Sequence, residues 1–380
     1  MKWVLRYNSH RLMEETNQLT GNKLGQTACS HTGPGLSSLG LGCWQLGGGD
    51  YWGPSDQAQA TRLIRQAVDW GINYFDTAEM YNEGRSEVFL GEALRDIPRD
   101  KIIVGTKVWP THLHPQTLRS SCEDSLKRLG MDMIDLYMIH WPLNPDTFGM
   151  FADLSKQGVS GHTGQAVTVP CLEDAVATLL QLQSEGKIRW LGLSNYGVAQ
   201  LEKIQLLGGV YKVDQVAYNL LTRAAEFSLL PYCQTHDVGI VTYMTLMQGL
   251  LTDKYDTLDD MPDWYTRTRH FNCQRNPKTR HGEPGAEPEL ILALQAIRNL
   301  ARGIGTSVAE LAVQWVLSHP GVTCALVGTH SMTSLKQNVM AAVTPLTPDV
   351  WERLNTLTEP LKHGLGSGLD IFENTQRDRT

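Results

Sequence analysis

Short apolar runs, rich in β-branched residues, alternate with helical patterns along most of the chain. This alternation is typical of β/α units in a parallel sheet. Eight such runs are present, at Leu39–Trp44, Ile72–Asp76, Ile102–Lys107, Ile134–His140, Ile188–Asn195, Val213–Asn219, Gly239–Met244 and Val322–Gly328. Helices are predicted between them at residues 55–70, 85–96, 115–130, 171–186, 198–208, 225–236 and 306–319, and after the last run at 333–343. Eight strand and helix pairs without a break predict an α/β fold, a closed (β/α)8 TIM barrel.

A barrel of this type needs about 250 residues, so part of the 380-residue chain forms additions. We predict an N-terminal extension at residues 1–34, the barrel unit at 35–361 and a C-terminal tail at 362–380, which either closes a pocket or is disordered. Long βα loops are predicted at 143–170, as a lid or a solvated loop, and at 252–286. Both follow the carboxyl end of a strand, where barrels of this type place their chemistry.

A doubly wound sheet is the rival architecture. It predicts a Gly-x-Gly-x-x-Gly turn after the first strand. The segment Gly40–Gln45 lacks this turn, and the glycines of Gly47–Gly49 have the wrong spacing. The barrel is therefore favoured.

Composition and charge argue against several classes of function. The 33 Lys and Arg residues are dispersed among 40 Asp and Glu residues, so no basic patch for nucleic acid is predicted. No stretch approaches the length of uncharged apolar sequence that spans a membrane. Seven cysteines without a CxxC pair, and an N-terminus without the apolar core of a secretory signal, favour a cytoplasmic location. His112 and His114 have no third ligand nearby, so no metal site is predicted.

Polar side chains stand where three predicted strands end. Asp76, Lys107 and His140 close the second, third and fourth runs, and Tyr81 follows Asp76 by five residues. Because the carboxyl ends of neighbouring parallel strands meet on one rim, we expect these four side chains to lie together.

Together these side chains can protonate a carbonyl oxygen. A tyrosine hydroxyl has a pKa near 10, so it is a poor acid unless a cation such as Lys107 stabilises the phenolate. Asp76 would hold that ammonium in place, and a neutral His140 would orient the carbonyl by a hydrogen bond. None of the four residues is a nucleophile, so a cofactor that supplies hydride is predicted.

Several motifs in the right order resemble the aldo-keto reductase superfamily. The resemblance extends from about Gly35 to Leu361. The motifs are Phe75–Glu87, Gly105–Lys107, Leu136–Pro142, Ile188–Tyr196 and Gln215–Leu221. The resemblance implies an enzyme that reduces an aldehyde or ketone to an alcohol, with Tyr81 as the proton donor. It also implies NADPH, with NADH possible, lying extended across the barrel mouth.

The resemblance also implies a set of cofactor-binding residues. These are Gly42, Cys43, Trp44, Asp76, Ser194, Asn195, Gln215, Tyr243, Met244, Thr245, Leu246, Gln248, Lys254, Gly328, His330, Ser334, Gln337 and Asn338. Tyr243 would stack on the nicotinamide, whose carboxamide would contact Ser194, Asn195 and Gln215. Two features depart from the family pattern. Met244 and Thr245 replace the usual Ser-Pro, and His330 stands where many relatives carry an Arg or Lys facing the 2′-phosphate.

Some alternatives stay open at this stage. Trp52, Trp109 and Trp141 either line a carbonyl pocket or pack at the rim, and the segment Arg267–Arg269 is either a surface loop or a clasp over the cofactor phosphates. The second functional hypothesis is an NADPH-binding regulatory or sensor subunit with slow turnover, similar to potassium-channel β subunits. The expected partner is a small carbonyl compound, with no nucleic acid and no membrane, and neither its identity nor the oligomeric state follows from the sequence.

Overall fold

A closed barrel of eight parallel strands forms the body of the protein. The computed structural model describes residues 24–144, 148–149 and 168–380, apart from residues 30, 32, 50, 375 and 377. The barrel strands are β3 (Leu39–Gly42), β4 (Tyr74–Asp76), β5 (Ile103–Val108), β6 (Ile134–Ile139), β7 (Ile188–Ser194), β8 (Tyr211–Ala217), β9 (Gly239–Tyr243) and β10 (Cys324–Val327). The ring closes where β10 pairs with β3, with Leu326 opposite Gly40. The predicted (β/α)8 fold class is confirmed.

Helices follow the strands in the predicted order. They are α1 (Gln57–Asp69), α2 (Arg85–Leu94), α3 (Pro115–Leu129), α4 (Leu172–Ser184), α5 (Val198–Leu206), α6 (Leu229–Thr235), α7 (Glu287–Ile304), α8 (Val308–Ser318), α9 (Met332–Val343) and α10 (Pro348–Leu365). The sequence analysis did not predict α7. The unit after β9 has two helices, α7 and α8, and α7 packs against α10.

Local signals set the ends of several helices. The side chain of Asp56 caps α1 by accepting a hydrogen bond from the amide of Ala58 at 2.8 Å. Ser307 and Glu310 form a capping box at the start of α8. Gly130 ends α3 in the left-handed conformation, with φ of 64°.

The interior of the barrel is packed with side chains. Inward-facing residues form a small apolar cluster that consists of Cys29, Leu36, Tyr74, Leu136, Met138, Val213, Val241, Cys324 and Leu326. Gly105 is required beside this cluster, because a Cβ at this position would lie 2.5 Å from the hydroxyl of Tyr74. Since the interior is filled, chemistry is confined to the rim at the carboxyl ends of the strands.

A hairpin precedes the barrel. Its strands are β1 (Gln26–Ala28) and β2 (Gly35–Ser37), which pair antiparallel. Leu36 and Cys29 join the interior cluster, so the hairpin packs against the amino-terminal end of the barrel. The predicted boundary at residue 35 falls within this hairpin and stays a prediction, and residues 1–23 lie outside the described residues.

The C-terminal tail is folded onto the insertion that follows β9. The backbone amide of Arg269 donates to the carbonyl of Ile371 at 2.7 Å, and the side-chain Nδ2 of Asn374 donates to the carbonyl of His281 at 2.8 Å. The described residues of the tail thus pack against residues 252–286. Most of the predicted lid at 143–170 lies outside the described residues.

In the part of the chain that the structure describes, no helix is both long enough and apolar enough to cross a membrane.

Candidate active site

The structure brings the four polar rim residues together. The ammonium of Lys107 donates to Asp76 Oδ1 at 2.7 Å and to the hydroxyl of Tyr81 at 3.4 Å. The rings of Tyr81 and His140 are 5.7 Å apart and nearly perpendicular, at 79°. The carboxylate, ammonium and phenol therefore form one chain, and the imidazole stands beside its end.

Asp76 accepts hydrogen bonds from more donors than the sequence analysis anticipated. Gln215 Nε2 donates to Asp76 Oδ2 at 2.7 Å, and the hydroxyl of Tyr74 donates to the same oxygen at 3.2 Å. The sequence could have indicated the contact of Tyr74 with Asp76, since residues two apart on a strand share a face. Gln215, predicted to contact a cofactor amide, is bonded to the carboxylate here.

Burial controls the ionisation of this cluster. It raises the pKa of the Tyr81 phenol well above its ordinary value, and the nearby Asp76 carboxylate raises it further. Burial also lowers the pKa of Lys107, against the opposing effect of Asp76. The sequence analysis expected Lys107 to lower the pKa of the phenol. In the structure the shortest contact of Lys107 is with Asp76, and burial keeps the Tyr81 phenol in its protonated form.

His140 is held by its backbone and by neighbouring rings. Its amide donates to the carbonyl of Val108 at 3.0 Å, and its carbonyl accepts from Asn195 Nδ2 at 3.0 Å. The ring of Trp109 meets the imidazole edge-on, 5.2 Å away at 90°. Burial, and then repulsion by Lys107, hold the pKa of His140 well below its ordinary value. The imidazole is therefore neutral and can donate a hydrogen bond to an oxygen atom.

The residues predicted to hold a nicotinamide also lie together. Asn195 Nδ2 donates to the Ser194 hydroxyl at 3.1 Å, and the Tyr243 hydroxyl donates to Asn195 Oδ1 at 2.7 Å. The Ser194 hydroxyl donates to the carbonyl of Gln215 at 3.0 Å. An aromatic ring, two amides and a hydroxyl thus share one part of the rim.

The loop after β9 contains residues in the left-handed region. Met244 has φ of 58° and Gln248 has φ of 54°, which is uncommon for residues other than glycine. The turn that replaces the family's Ser-Pro is nevertheless well anchored. The Thr245 hydroxyl donates to the carbonyl of Leu326 at 2.7 Å, and Asn219 Nδ2 donates to the carbonyl of Met244 at 3.0 Å. Leu246 follows and is partly buried.

Aromatic rings extend from Tyr81 towards the insertion after β9. Trp44 stacks on Tyr81 at 5.3 Å and on Tyr51 at 4.9 Å. Tyr51 accepts a hydrogen bond from Gln248 Nε2 at 2.6 Å. The guanidinium of Arg267 lies 5.5 Å from the centre of the Tyr51 ring. The segment containing Arg267 therefore folds towards the mouth, while Trp52 packs edge-on against Trp44 and Tyr51.

The other predicted cofactor residues lie nearby on the same rim. Gly42 ends β3 beside Asp76, and Cys43 follows it. The Cys43 thiol is buried, which raises its pKa. Gly328 follows β10. His330 is exposed, and burial of part of its ring lowers its pKa.

Three of the remaining candidates lie on α9 and one lies beyond β9. Ser334 is in the first turn of α9, which Ser331 caps, and Gln337 and the buried Asn338 lie further along it. The ammonium of Lys254 is exposed and lies 5.2 Å from the centre of the Tyr255 ring.

One side of the rim is apolar. Met80, Trp109, Trp141 and Phe148 form a buried cluster, and Phe372 of the tail packs against it. Trp109 and Trp141 are each 8% exposed. These residues form a wall next to His140.

A buried ion pair lies in the tail over this wall. Arg379 donates to both carboxylate oxygens of Asp370, at 2.6 and 2.9 Å, and each residue is 1% exposed. The guanidinium of Arg379 also lies over the ring of Trp141, 3.9 Å from its centre. The tail, which had no structural signal in the sequence, thus covers part of the rim.

Comparisons with known proteins support the resemblance. A model of the aldo/keto reductase family matches residues 38–359. An aldo-keto reductase of Bacillus subtilis is 31% identical over 343 residues, which are 88% of this chain and 93% of that protein. An NADH-specific methylglyoxal reductase of Escherichia coli is 32% identical over 325 residues, covering 80% of this chain and 90% of that protein.

Solved structures are similar in fold. The glycerol dehydrogenase of Gluconobacter oxydans superposes with a TM-score of 0.68 at 27% identity, covering 89% of this chain and 95% of that one. An aldo-keto reductase of Klebsiella pneumoniae in complex with NADPH has a TM-score of 0.63 at 25% identity, covering 93% of this chain and 98% of that one.

Proposed function

Since the chain belongs to the aldo/keto reductase family, we propose that it reduces an aldehyde or ketone to the alcohol with a nicotinamide cofactor. The observation that carries the proposal is the series of hydrogen bonds from Asp76 through Lys107 to the protonated phenol of Tyr81. The neutral imidazole of His140 lies beside this phenol. Two neutral donors at one point suit a carbonyl oxygen that becomes an alkoxide.

Each side chain then has a distinct role. Tyr81 donates its proton to the carbonyl oxygen, and Lys107 donates a hydrogen bond to the phenolate that is left. Asp76 holds the ammonium of Lys107 at this position. His140 donates a hydrogen bond that orients the carbonyl. The cofactor, when bound, supplies the hydride.

The donor set of the rim fits a nicotinamide. Ser194, Asn195 and Gln215 offer the hydroxyl and amide groups that a carboxamide needs, and Tyr243 offers an aromatic face. The N-terminus of α9 suits a phosphate, because its first amides point outward. We propose NADPH as the cofactor, with NADH possible. The Klebsiella relative was solved with NADPH, and the E. coli relative is NADH-specific.

His330 provides a test of the choice between these cofactors. A neutral imidazole gives a 2′-phosphate a weaker contact than a guanidinium does. We expect His330→Arg to tighten NADPH binding by about tenfold, the effect of about 1.4 kcal/mol, and to leave the Kd of NADH within about twofold. The Kd values are measured by quenching of tryptophan fluorescence, with His236→Arg as the control. Equal effects on both cofactors would show that residue 330 does not face the 2′-phosphate.

The apolar wall next to His140 favours an aromatic aldehyde as substrate, and the tail helps to form this wall. Arg379→Ala would remove the cation that is hydrogen-bonded to the buried Asp370 carboxylate, which is strongly unfavourable. We expect the tail to detach, KM for an aromatic aldehyde to rise by about tenfold, the value of one apolar contact in a pocket, and amide hydrogen exchange of residues 369–374 to accelerate. Arg95→Ala, which removes an exposed ion pair, is the control. If KM and amide hydrogen exchange are both unchanged, the tail does not help to form the pocket.

The proposed function is tested by the loss of NADPH absorbance, and separately of NADH absorbance, with aromatic, aliphatic and sugar aldehydes. Purified protein is compared with Tyr81→Phe. Turnover that requires Tyr81 supports the reductase and ranks the cofactors and substrates. Tight NADPH binding without turnover on any carbonyl would instead support the regulatory or sensor subunit.

A further inference from the structure

The segment that leads to Tyr81 runs beside the end of β5. The amide of Glu79 donates to the carbonyl of Lys107 at 3.3 Å, and then the backbone turns, with the amide of Tyr81 donating to the carbonyl of Ala78 at 3.1 Å. Just beyond β5, the amide of Trp109 donates a hydrogen bond to the side chain of Glu79 at 2.7 Å. The Glu79 carboxylate thus replaces a backbone acceptor for a buried amide, which would otherwise be left unsatisfied.

His112 holds the same carboxylate oxygen. Its Nδ1 lies 2.9 Å from Glu79 Oε1, and the side chains of His112 and Glu79 are 13% and 7% exposed. A carboxylate oxygen accepts hydrogen bonds, so this contact pairs it with an N–H group at Nδ1 of His112. The Ser121 hydroxyl is 3.3 Å from this nitrogen. Glu79 is therefore held between two N–H donors, one from the backbone of Trp109 and one from His112.

Trp109, whose amide binds Glu79, also contacts one of the groups that carry the proposed chemistry. The ring of Trp109 meets His140 edge-on at 5.2 Å, and the ring of Tyr81 also meets His140 nearly perpendicularly, at 5.7 Å. Nδ1 of His140 is buried without a hydrogen-bond partner among the described residues. Since this nitrogen has no hydrogen bond that would hold the ring, the two flanking rings help to orient the imidazole.

We propose that Glu79 and His112 are positioning residues that hold the Tyr81 segment and the Trp109 indole against His140. The pair sets the geometry between the proton donor and the imidazole that orients the carbonyl. This inference rests on the proposed function, because that function gives the geometry its consequence. It also gives a role to His112, which the sequence analysis considered only as a metal ligand.

Two pairs of variants test the proposal. Glu79→Ala removes the acceptor, whereas Glu79→Gln keeps an oxygen that can accept from both donors. His112→Leu removes the donor, whereas His112→Asn keeps an N–H group near the position of Nδ1. A misplacement of about 1 Å in a catalytic geometry can cost about 100-fold in rate. We expect Glu79→Ala and His112→Leu to lower kcat by about 10-fold to 100-fold, and the amide variants to stay within about threefold of the parent protein.

A second readout separates positioning from loss of folded protein. Active sites are titrated with NADPH, Tm is recorded, and the primary deuterium isotope effect on kcat is measured with cofactor deuterated at the transferred position. We expect the isotope effect to rise in Glu79→Ala, because hydride transfer then limits the rate, and NADPH affinity to stay within about twofold. A lower Tm with unchanged kcat per titrated site and an unchanged isotope effect would overturn the proposal.

Crystal structures of the variants test the pair without turnover. In Glu79→Ala we expect the Trp109 indole to leave its perpendicular contact with His140, and in Glu79→Gln we expect that contact to persist. If the parent protein reduces no carbonyl, the proposed function fails while these structures still decide the role of the pair. An unmoved indole in Glu79→Ala would overturn the inference even if the reductase activity is real.

Discussion

Replacing Tyr81 by Phe is expected to lower kcat for carbonyl reduction by at least about 100-fold, the low end of what a general acid contributes. The phenol is the protonated donor next to Lys107, and the substitution removes only its oxygen. That oxygen matters as the alkoxide forms and not in the binding of the cofactor. The Kd of NADPH should therefore stay within about twofold. Steady-state kinetics and fluorescence titration measure the two quantities.

A matched control is Tyr232→Phe. This tyrosine is on α6, away from the rim, and its ring stacks on His236 with ring centres 3.8 Å apart. The control should keep the parent kcat. Strong residual turnover in Tyr81→Phe would show that another group supplies the proton, and the assigned mechanism would then be wrong.

Replacing Lys107 by Met is expected to affect both activity and stability. Lys107 is fully buried, and its partner Asp76 has a side chain that is 5% exposed. Removing one member of a buried ion pair costs about 3–5 kcal/mol, because the remaining charge is left without compensation. The hydrogen bonds from Gln215 and Tyr74 to Asp76 persist but carry no net charge. We expect kcat to fall by at least about 100-fold and urea denaturation to show the loss of stability.

The double variant Asp76→Asn with Lys107→Met separates these effects. Removing both charges takes away the uncompensated carboxylate, so stability should recover relative to Lys107→Met. Activity should not recover, since the phenolate of Tyr81 still lacks the ammonium. Recovery of turnover in the double variant would show that Lys107 acts only through the charge of Asp76 and not through the phenol.

The fold was largely predictable because its signal is local. Strands of a parallel barrel are covered on both faces and read as short apolar runs, so β4 and β10 were found at nearly their observed positions. The helix α7 was not found, because the rule of one helix per strand left no place for it. It lies outside that repeat and is stabilised by contacts with α10.

The site was predictable only in part. Asp76, Lys107 and His140 were predicted to lie together because each stands at or beside the end of a strand, and chain order then places them on one rim. The ionisation of the site was harder to predict, since the pKa of Tyr81 depends on burial. The bond from Gln215 to Asp76 joins residues 139 positions apart, so no pattern within one segment could reveal it.

The sequence by itself determined the barrel, the order of its strands and which polar residues reach the rim, since these depend on the periodicity of neighbouring residues and on where apolar runs end. Only the tertiary structure decided that the tail lies over Trp141, that Glu79 bonds to the amide of Trp109 and that burial raises the pKa of the Tyr81 phenol. The physical reason is that burial and hydrogen-bond partners come from segments distant in the chain, and the energy of each group depends on what surrounds it after folding.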